Sequence, residues 1–279
     1  MLKTRVITAL VLLGVLLPSL FYLPQALWAL LLAGFIGVAA WEWGALLGWR
    51  EWPRRALGVA VAASCGVLSL VQPEVIGAGG SFAPAPRWVL VVYAAAAIFW
   101  GGVIPLWLRA KWTLGKGGLG LLVGALVLVP TWLALVQLRM LGPVALLGLF
   151  AIVWMADIAA YFSGKAFGKH KLAPSISPGK TWEGALGAVV GVAAYGLVVR
   201  AGLSLEQPSL PLSVLVLLLL TAISIVGDLY ESMLKRQAGI KDSSNVLPGH
   251  GGVLDRIDSL TSTMPIVALL WLLLVYPIQ

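Results

Sequence analysis

Apolar residues in this chain neither alternate with polar ones nor recur at a helical period. They fill long stretches separated by short polar breaks. A hydrocarbon core of roughly 30 Å is crossed by about 20 helical residues, and an open strand or loop there would leave its backbone groups without partners. Nine stretches predict spanning helices over residues 6–23, 26–48, 56–72, 88–108, 117–138, 143–161, 184–203, 212–230 and 259–276. The breaks carry the residues that stop helices: Pro24, Pro53, the stretch from Pro73 to Pro86, Gly115 to Gly118, Gly142-Pro143, and Pro208 with Pro211. The predicted fold is an all-α polytopic membrane protein of about nine transmembrane helices, with no short-period repeat and no disordered tail. The first stretch follows Lys3 and Arg5 as a secretory signal would, but Pro18, Leu20, Phe21, Tyr22 and Leu23 offer no small-x-small cleavage site, so an uncleaved span is expected.

The basic residues test this division, because Lys and Arg gather on the cytoplasmic side of membrane proteins. With nine spans, sixteen of the nineteen basic residues fall on the amino-terminal side, and only Arg87, Arg139 and Arg200 on the other. The expectation is therefore a cytoplasmic amino terminus, a carboxyl terminus outside, and a bacterial-type inner membrane with the chemistry facing the cytoplasm. Trp28, Trp49, Trp52, Trp88, Trp107 and Trp112 lie near the proposed span ends, where amphipathic rings favour the interface.

Composition agrees, since a chain that is 60% hydrophobic and 11% charged lacks the polar residues to cover a water-soluble globule. The net charge of +8 is spread over five short loops, which argues for membrane topology and anionic substrates and against nucleic acid. Cys65 is the one cysteine and lies in an apolar run, so it is read as a packed small residue.

Acidic residues are distributed differently. Seven of the eleven, Asp157, Glu183, Asp228, Glu231, Asp242, Asp255 and Asp258, lie at or between the ends of the last four spans, together with His170 and His250. This divides the chain into residues 1–140, with about five spans, and a catalytic membrane region 141–279 with motif loops at 162–183 and 231–258. In the first loop region, Asp157 and Tyr161 share a helix face at a spacing of four. Lys165, Lys169, Lys171 and Lys180 are candidate phosphate contacts, or else plain topology determinants. Gly179-Lys180-Thr181 is not a nucleotide P-loop, because Pro174 stands where that motif needs glycine and no strand is expected before it.

In the second, Asp228, Glu231 and Lys235 fall on one stripe if the eighth span continues as a helix, and Asp255 with Asp258 form a similar pair at the start of the ninth. Gly249, Gly251 and Gly252 between them allow close approach of a backbone to an anion. A nucleoside triphosphate and a phosphate monoester would repel such carboxylates unless cations intervene, so Mg²⁺ is inferred. The plain alternatives are that Asp258 caps the ninth span, Glu231 pairs with Lys235 and His250 is an interior imidazole. Glu42, between Trp41 and Trp43 inside an early span, has no assigned role.

Ser232-Met-Leu-Lys-Arg, followed after four residues by Lys241-Asp-Ser-Ser-Asn-Val-Leu-Pro-Gly-His-Gly-Gly-Val-Leu-Asp-Arg-Ile-Asp258, resembles the phosphatidate cytidylyltransferase (CDP-diacylglycerol synthase) family, as do Ser177-Pro-Gly-Lys-Thr-Trp-Glu-Gly184 and the segment from Asp157 to Gly168. The close resemblance covers roughly residues 150–260. It implies Mg²⁺-dependent reaction of CTP with phosphatidic acid, giving CDP-diacylglycerol and pyrophosphate, and it implies a homodimer. By this resemblance Asp228 and Asp255 are metal-binding aspartates, with a monovalent ion such as K⁺ beside Mg²⁺. The candidate catalytic set is Asp228, Asp255, Lys235 and Arg256, and the candidate metal ligands are Asp228, Asp255, Asp258 and Glu231. Candidate substrate contacts are Lys165, Lys169, Ser177, Lys180, Thr181, Glu183, Arg236, Lys241, Asp242, His250, Gly251 and Gly252. The rivals are a CTP-using lipid kinase, which would release CDP rather than pyrophosphate, and an ion-coupled transporter, which would carry its carboxylates near mid-span.

Overall fold

The computed structural model describes residues 2–78, 86–203 and 208–275. Part of the Pro73 to Pro86 break and the last residue of the ninth predicted span lie outside them. The helices are α1 (Leu2–Tyr22), α2 (Gln25–Leu46), α3 (Glu51–Val71), α4 (Arg87–Ile98), α5 (Ile104–Ala110), α6 (Gly118–Leu138), α7 (Pro143–Phe167), α8 (Trp182–Gly202), α9 (Leu210–Gln237) and α10 (Leu254–Val275). A π-helical turn, Phe99–Val103, joins α4 to α5 into one continuous span. Its cause is local: Pro105 has no N–H for the carbonyl four residues back, so the ladder widens by one residue. Among the described residues nine helices are long and apolar enough to cross a membrane, and the protein is a multi-pass membrane protein.

Burial is uneven. About two-thirds of the apolar window of α6 is inside the protein (67%), with 61% for α2 and 56% for α10, against 6% for α1. The first three form the centre, and α10 returns to pack on α4 and α6. With no hydrophobic drive between helices in lipid, close contact depends on small residues and interhelical hydrogen bonds. A Cβ on Gly58 would meet Gly37 O at 2.7 Å, which locks α2 to α3. A Cβ on Gly227 would meet Ser262 Oγ at 2.4 Å, which brings the site helices α9 and α10 together.

Trp28 and Trp107 are buried against neighbouring helices. Trp28 donates its indole N–H to Leu135 O at 3.3 Å, and Trp132 on α6 returns the arrangement to Ala29 O at 3.0 Å. A buried indole N–H needs such a partner, and both have a carbonyl. Trp52 and Trp112 are exposed, as expected. Cys65 is buried and free.

Helices also run further than their apolar stretches. α7 continues to Phe167 and α9 to Gln237, and α10 begins at Leu254, so the connecting loops shrink to 168–181 and 238–253. A polar helix end keeps its backbone bonds outside the hydrocarbon, which hydropathy alone does not register. The first of these loops holds a two-stranded antiparallel hairpin, β1 (Lys171–Ala173) and β2 (Ser177–Thr181), with Lys171 opposite Thr181 and Ala173 opposite Ser177. No strand was expected there. Three irregularly paired residues in a basic segment carry no alternating pattern to betray them.

Candidate active site

The continuation of α7, α9 and α10 beyond their apolar stretches places the ionisable residues on helices. Asp157, Tyr161 and Lys165 lie at spacings of four along α7, and the Lys165 ammonium sits 5.8 Å from the Tyr161 ring centroid. The hairpin folds over this face. Glu183, in the first turn of α8, holds it there: both carboxylate oxygens accept from His170 N at 3.2 Å, and His170 Nδ1 lies 2.6 Å from Oε1. Thr181 Oγ1 caps α8 by accepting from Gly184 N at 3.1 Å. Gly179-Lys180-Thr181 is thus the end of a strand and the cap of a helix, not a phosphate-cradling loop.

Lys180, carried on β2, forms an ion pair with Asp228 of α9. Ser232 Oγ donates to the other oxygen of Asp228 at 3.3 Å. Asp157, Lys165, Ser177, Lys180, Thr181, Ser224 and Asp228 line one cavity of about 520 Å³ between α7, the hairpin, α8 and α9.

Asp255 sits in a different setting, in the first turn of α10 and largely buried. Its Oδ2 accepts from Ser243 N at 2.8 Å, Ser243 Oγ at 2.9 Å and Gly252 N at 2.7 Å, while Oδ1 accepts from Lys235 Nζ at 2.6 Å. Lys235 also donates to Glu231 Oε2 at 3.0 Å, so one ammonium serves two buried carboxylates. The expected stripe of Asp228, Glu231 and Lys235 on one helix is present. Its pairing of Glu231 with Lys235 is also present, extended by Asp255. Asp258 lies a full turn inside α10 and accepts from its own neighbour Ser259 N at 2.7 Å, so it does not cap that helix.

The cap comes from the far end of the sequence. Glu42 of α2 is fully buried and accepts from Val253 N at 3.0 Å, Leu254 N at 2.6 Å and Ser244 Oγ at 2.5 Å. A carboxylate on the first amides of a helix satisfies orphan donors and is favoured by the helix dipole. Gly252 is needed for this approach, since a Cβ there would lie 2.3 Å from Glu42 Oε1 and 2.0 Å from Ser243 Oγ. Sequence reading missed the role of Glu42 and that of Ser243. The signal for Glu42 was present: an acid within a span must face protein rather than lipid.

A second cavity, about 610 Å³, is lined by Arg5, Lys241, Asp242, Asn245, Gly249, His250, Gly251 and Arg256. Gly249 and Gly251 take positive φ of 77° and 81°, which the tight turn closed by Leu247 N to Gly251 O at 2.9 Å requires. Thus the structure gathers Lys165, Ser177, Lys180, Thr181 and Asp228 round one cavity and Lys241, Asp242, His250, Gly251 and Arg256 round another. Glu231, Lys235 and Asp255 form a buried triad, Gly252 supplies an amide to it, and Glu183 holds the hairpin. Lys169 and Arg236 are exposed and line neither cavity.

The donor set is suited to a hard divalent cation. Asp157 and Asp228 repel each other, as do Asp228 and Asp258, and Glu231 Oε1 is buried without a hydrogen-bond partner. Among the described residues no three His, Cys, Asp or Glu side chains converge as a ready-made cage. Mg²⁺ characteristically takes one or two carboxylates and completes its shell with phosphate oxygens and water, a demand that Asp228 and one neighbouring carboxylate would meet.

A bundle of membrane-crossing helices, carrying carboxylates and lysines round cavities at the ends of its last four helices, defines a membrane enzyme that handles phosphorylated compounds. The chain belongs to the cytidylyltransferase family, whose model matches residues 3–274. It is 45% identical over 283 residues to a phosphatidate cytidylyltransferase of Pseudomonas aeruginosa, covering 97% of each chain. It is 36% identical over 284 residues to that of Haemophilus influenzae, covering 95% of this chain and 96% of the relative. Over 124 residues, 44% of each chain, it is 53% identical to the phosphatidate cytidylyltransferase of Brucella suis.

Proposed function

We infer that this protein transfers CMP from CTP to phosphatidic acid, giving CDP-diacylglycerol and pyrophosphate for phospholipid synthesis. The observation that carries the reading is the cavity in which Lys165 and Lys180 stand with Asp157 and Asp228 at the rim of an apolar bundle, where a water-borne triphosphate can be held beside a membrane-borne phosphate. A phosphatidate oxygen attacks the α-phosphorus of CTP in line. The bond to the bridging oxygen of the β-phosphate breaks, and pyrophosphate leaves with that electron pair. Lys165 and Lys180 hold the polyphosphate as point charges, and Lys180 exchanges its bond to Asp228 for one to phosphate as the nucleotide enters. Asp255, fixed by Ser243, Gly252 and Lys235, keeps the 243–252 loop and the start of α10 in register.

Mg²⁺ is part of the proposal: Asp228 would hold it, with Asp258 or the unpartnered Oε1 of Glu231 as a second donor and K⁺ beside it, and Asp255 would join only by giving up one of its present bonds. When bound, Mg²⁺ supplies neutralisation of phosphate charge. A homodimer is proposed on the resemblance of the motifs. The sixteen-to-three distribution of basic residues supports an inner-membrane protein with both cavities facing the cytoplasm. Reporters fused after Gln279 and within residues 165–180 should then lie on opposite sides of the membrane, and finding them on one side would overturn the orientation. Incubation of purified protein with labelled CTP, phosphatidic acid and Mg²⁺ tests the reaction: CDP-lipid with pyrophosphate is expected, and CDP with a phosphorylated lipid would establish a kinase instead.

A further inference from the structure

His250 and Arg256 line two cavities at once. One is the polar 610 Å³ cavity, which brings together Arg5, Lys241 and Arg256 against the single acid Asp242. The other, about 320 Å³, is almost wholly apolar and runs between α1, α2, α7 and α10, with Leu12, Leu16, Phe35, Phe150 and Ile257 in its walls. Its lining on α2 extends from Ile36 to Trp28, about 12 Å along the helix. Arg256 is its one Lys, Arg, Asp or Glu, and stands at the junction with the polar cavity. His250 Nδ1, at the same junction, is buried with no hydrogen-bond partner.

We propose that these two cavities together seat the lipid substrate, with the phosphate monoester among Arg5, Lys241, His250 and Arg256 and one acyl chain along the apolar groove. The proposal rests on the CMP-transfer reading. A soluble nucleotide would leave the groove unfilled, and a neutral lipid would leave three cations facing one acid. A phosphate dianion on a hydrocarbon tail matches both halves. Entry is lateral. α1 forms one wall and is hardly packed, with the half-exposed Leu13 lining the open edge of the groove, while Arg5 lies against Gly249, where a Cβ would meet its Cγ at 3.0 Å.

The test compares dioleoyl and dihexanoyl phosphatidate in mixed micelles at fixed mole fraction, with full-length protein, Mg²⁺ and CTP. Leu13→Trp, which narrows the groove, should raise the KM for the dioleoyl lipid about tenfold and leave those for the dihexanoyl lipid and CTP unchanged. Arg5→Gln should raise the KM for both lipids about tenfold, again without moving that for CTP. An Arg5→Gln effect on CTP alone would give the polar cavity to the nucleotide, and an unchanged chain-length preference in Leu13→Trp would remove the acyl chain from the groove. If Leu13→Trp loses kcat with both lipids through displacement of α1, Leu16→Ala decides. That variant widens the groove and must weaken only the dioleoyl lipid, or the assignment fails. Absence of CDP-lipid from wild-type protein with either substrate would instead sink the CMP-transfer reading itself.

Discussion

The amino-terminal helices and the last four use polar groups in opposite ways. In α1 to α6 the buried polar side chains are few and, Glu42 apart, uncharged; most are bonded to neutral partners, while Trp100 Nε1 and Gln72 Oε1 have none. Gln137 accepts from Tyr93 Oη at 2.8 Å and donates to Val75 O at 2.9 Å, and Arg139 ties down Leu20 O and Gln25. These contacts hold helices at fixed separations. In α7 to α10 carboxylates stand near one another, two of them share Lys235, and Glu231 Oε1 is buried without a partner. A stable bundle has no need of such crowding. Charge left partly uncompensated in protein is expensive unless a ligand completes it, which is why the second arrangement marks the site and the first marks the scaffold. Glu42 crosses between the two, a scaffold residue whose bonds all go to the catalytic loop and α10.

That contrast can be broken in several places. Asp255→Asn puts an amide where four donors converge on a carboxylate, and CMP transfer should fall by about 10³-fold while the protein still elutes as a folded species in detergent. Near-normal transfer would deny Asp255 any part in the site. Lys235→Met leaves Glu231 and Asp255 buried without a counter-charge and should cost about 3 kcal/mol in detergent unfolding. Adding Glu231→Gln should recover part of that loss, and a double variant no better than the single one would show that the triad is not a unit.

Glu42→Ala strips the cap from α10 and should cost about 2 kcal/mol, with transfer reduced alongside. Glu42→Gln, which keeps an acceptor, should lose less. Equal losses in the two would mean that charge, not hydrogen bonding, is what α10 requires. The smallest effect is expected from Lys180→Gln, since its ion pair with Asp228 is partly open to solvent. Stability should hardly move, while the KM for CTP rises about tenfold through loss of a phosphate contact. An unchanged KM would take the hairpin out of nucleotide binding.

Much of this was legible along the chain. Nine apolar stretches gave the spans because the bilayer fixes the length of a crossing helix, and the spacing of Asp228, Glu231 and Lys235 gave their shared face because the helix fixes its period. Helix ends were read too short, and the hairpin was not seen at all, because polar continuation and a three-residue strand leave no hydrophobic pattern. Likewise, nothing along the chain marks the indole rings of Trp28 and Trp107 as buried; only their packed neighbours do.

By itself the sequence determined a membrane bundle of the cytidylyltransferase family, with seven of its eleven acidic residues gathered at or between the ends of the last four spans, since those properties follow from local composition and motif. Tertiary structure alone decided that Glu42 caps a helix more than two hundred residues away. It also decided that Asp228 faces a cavity while Asp255 is tied down by Ser243, Gly252 and Lys235. These are matters of which surfaces meet, and residues distant in the chain carry no mark of their meeting until the helices pack.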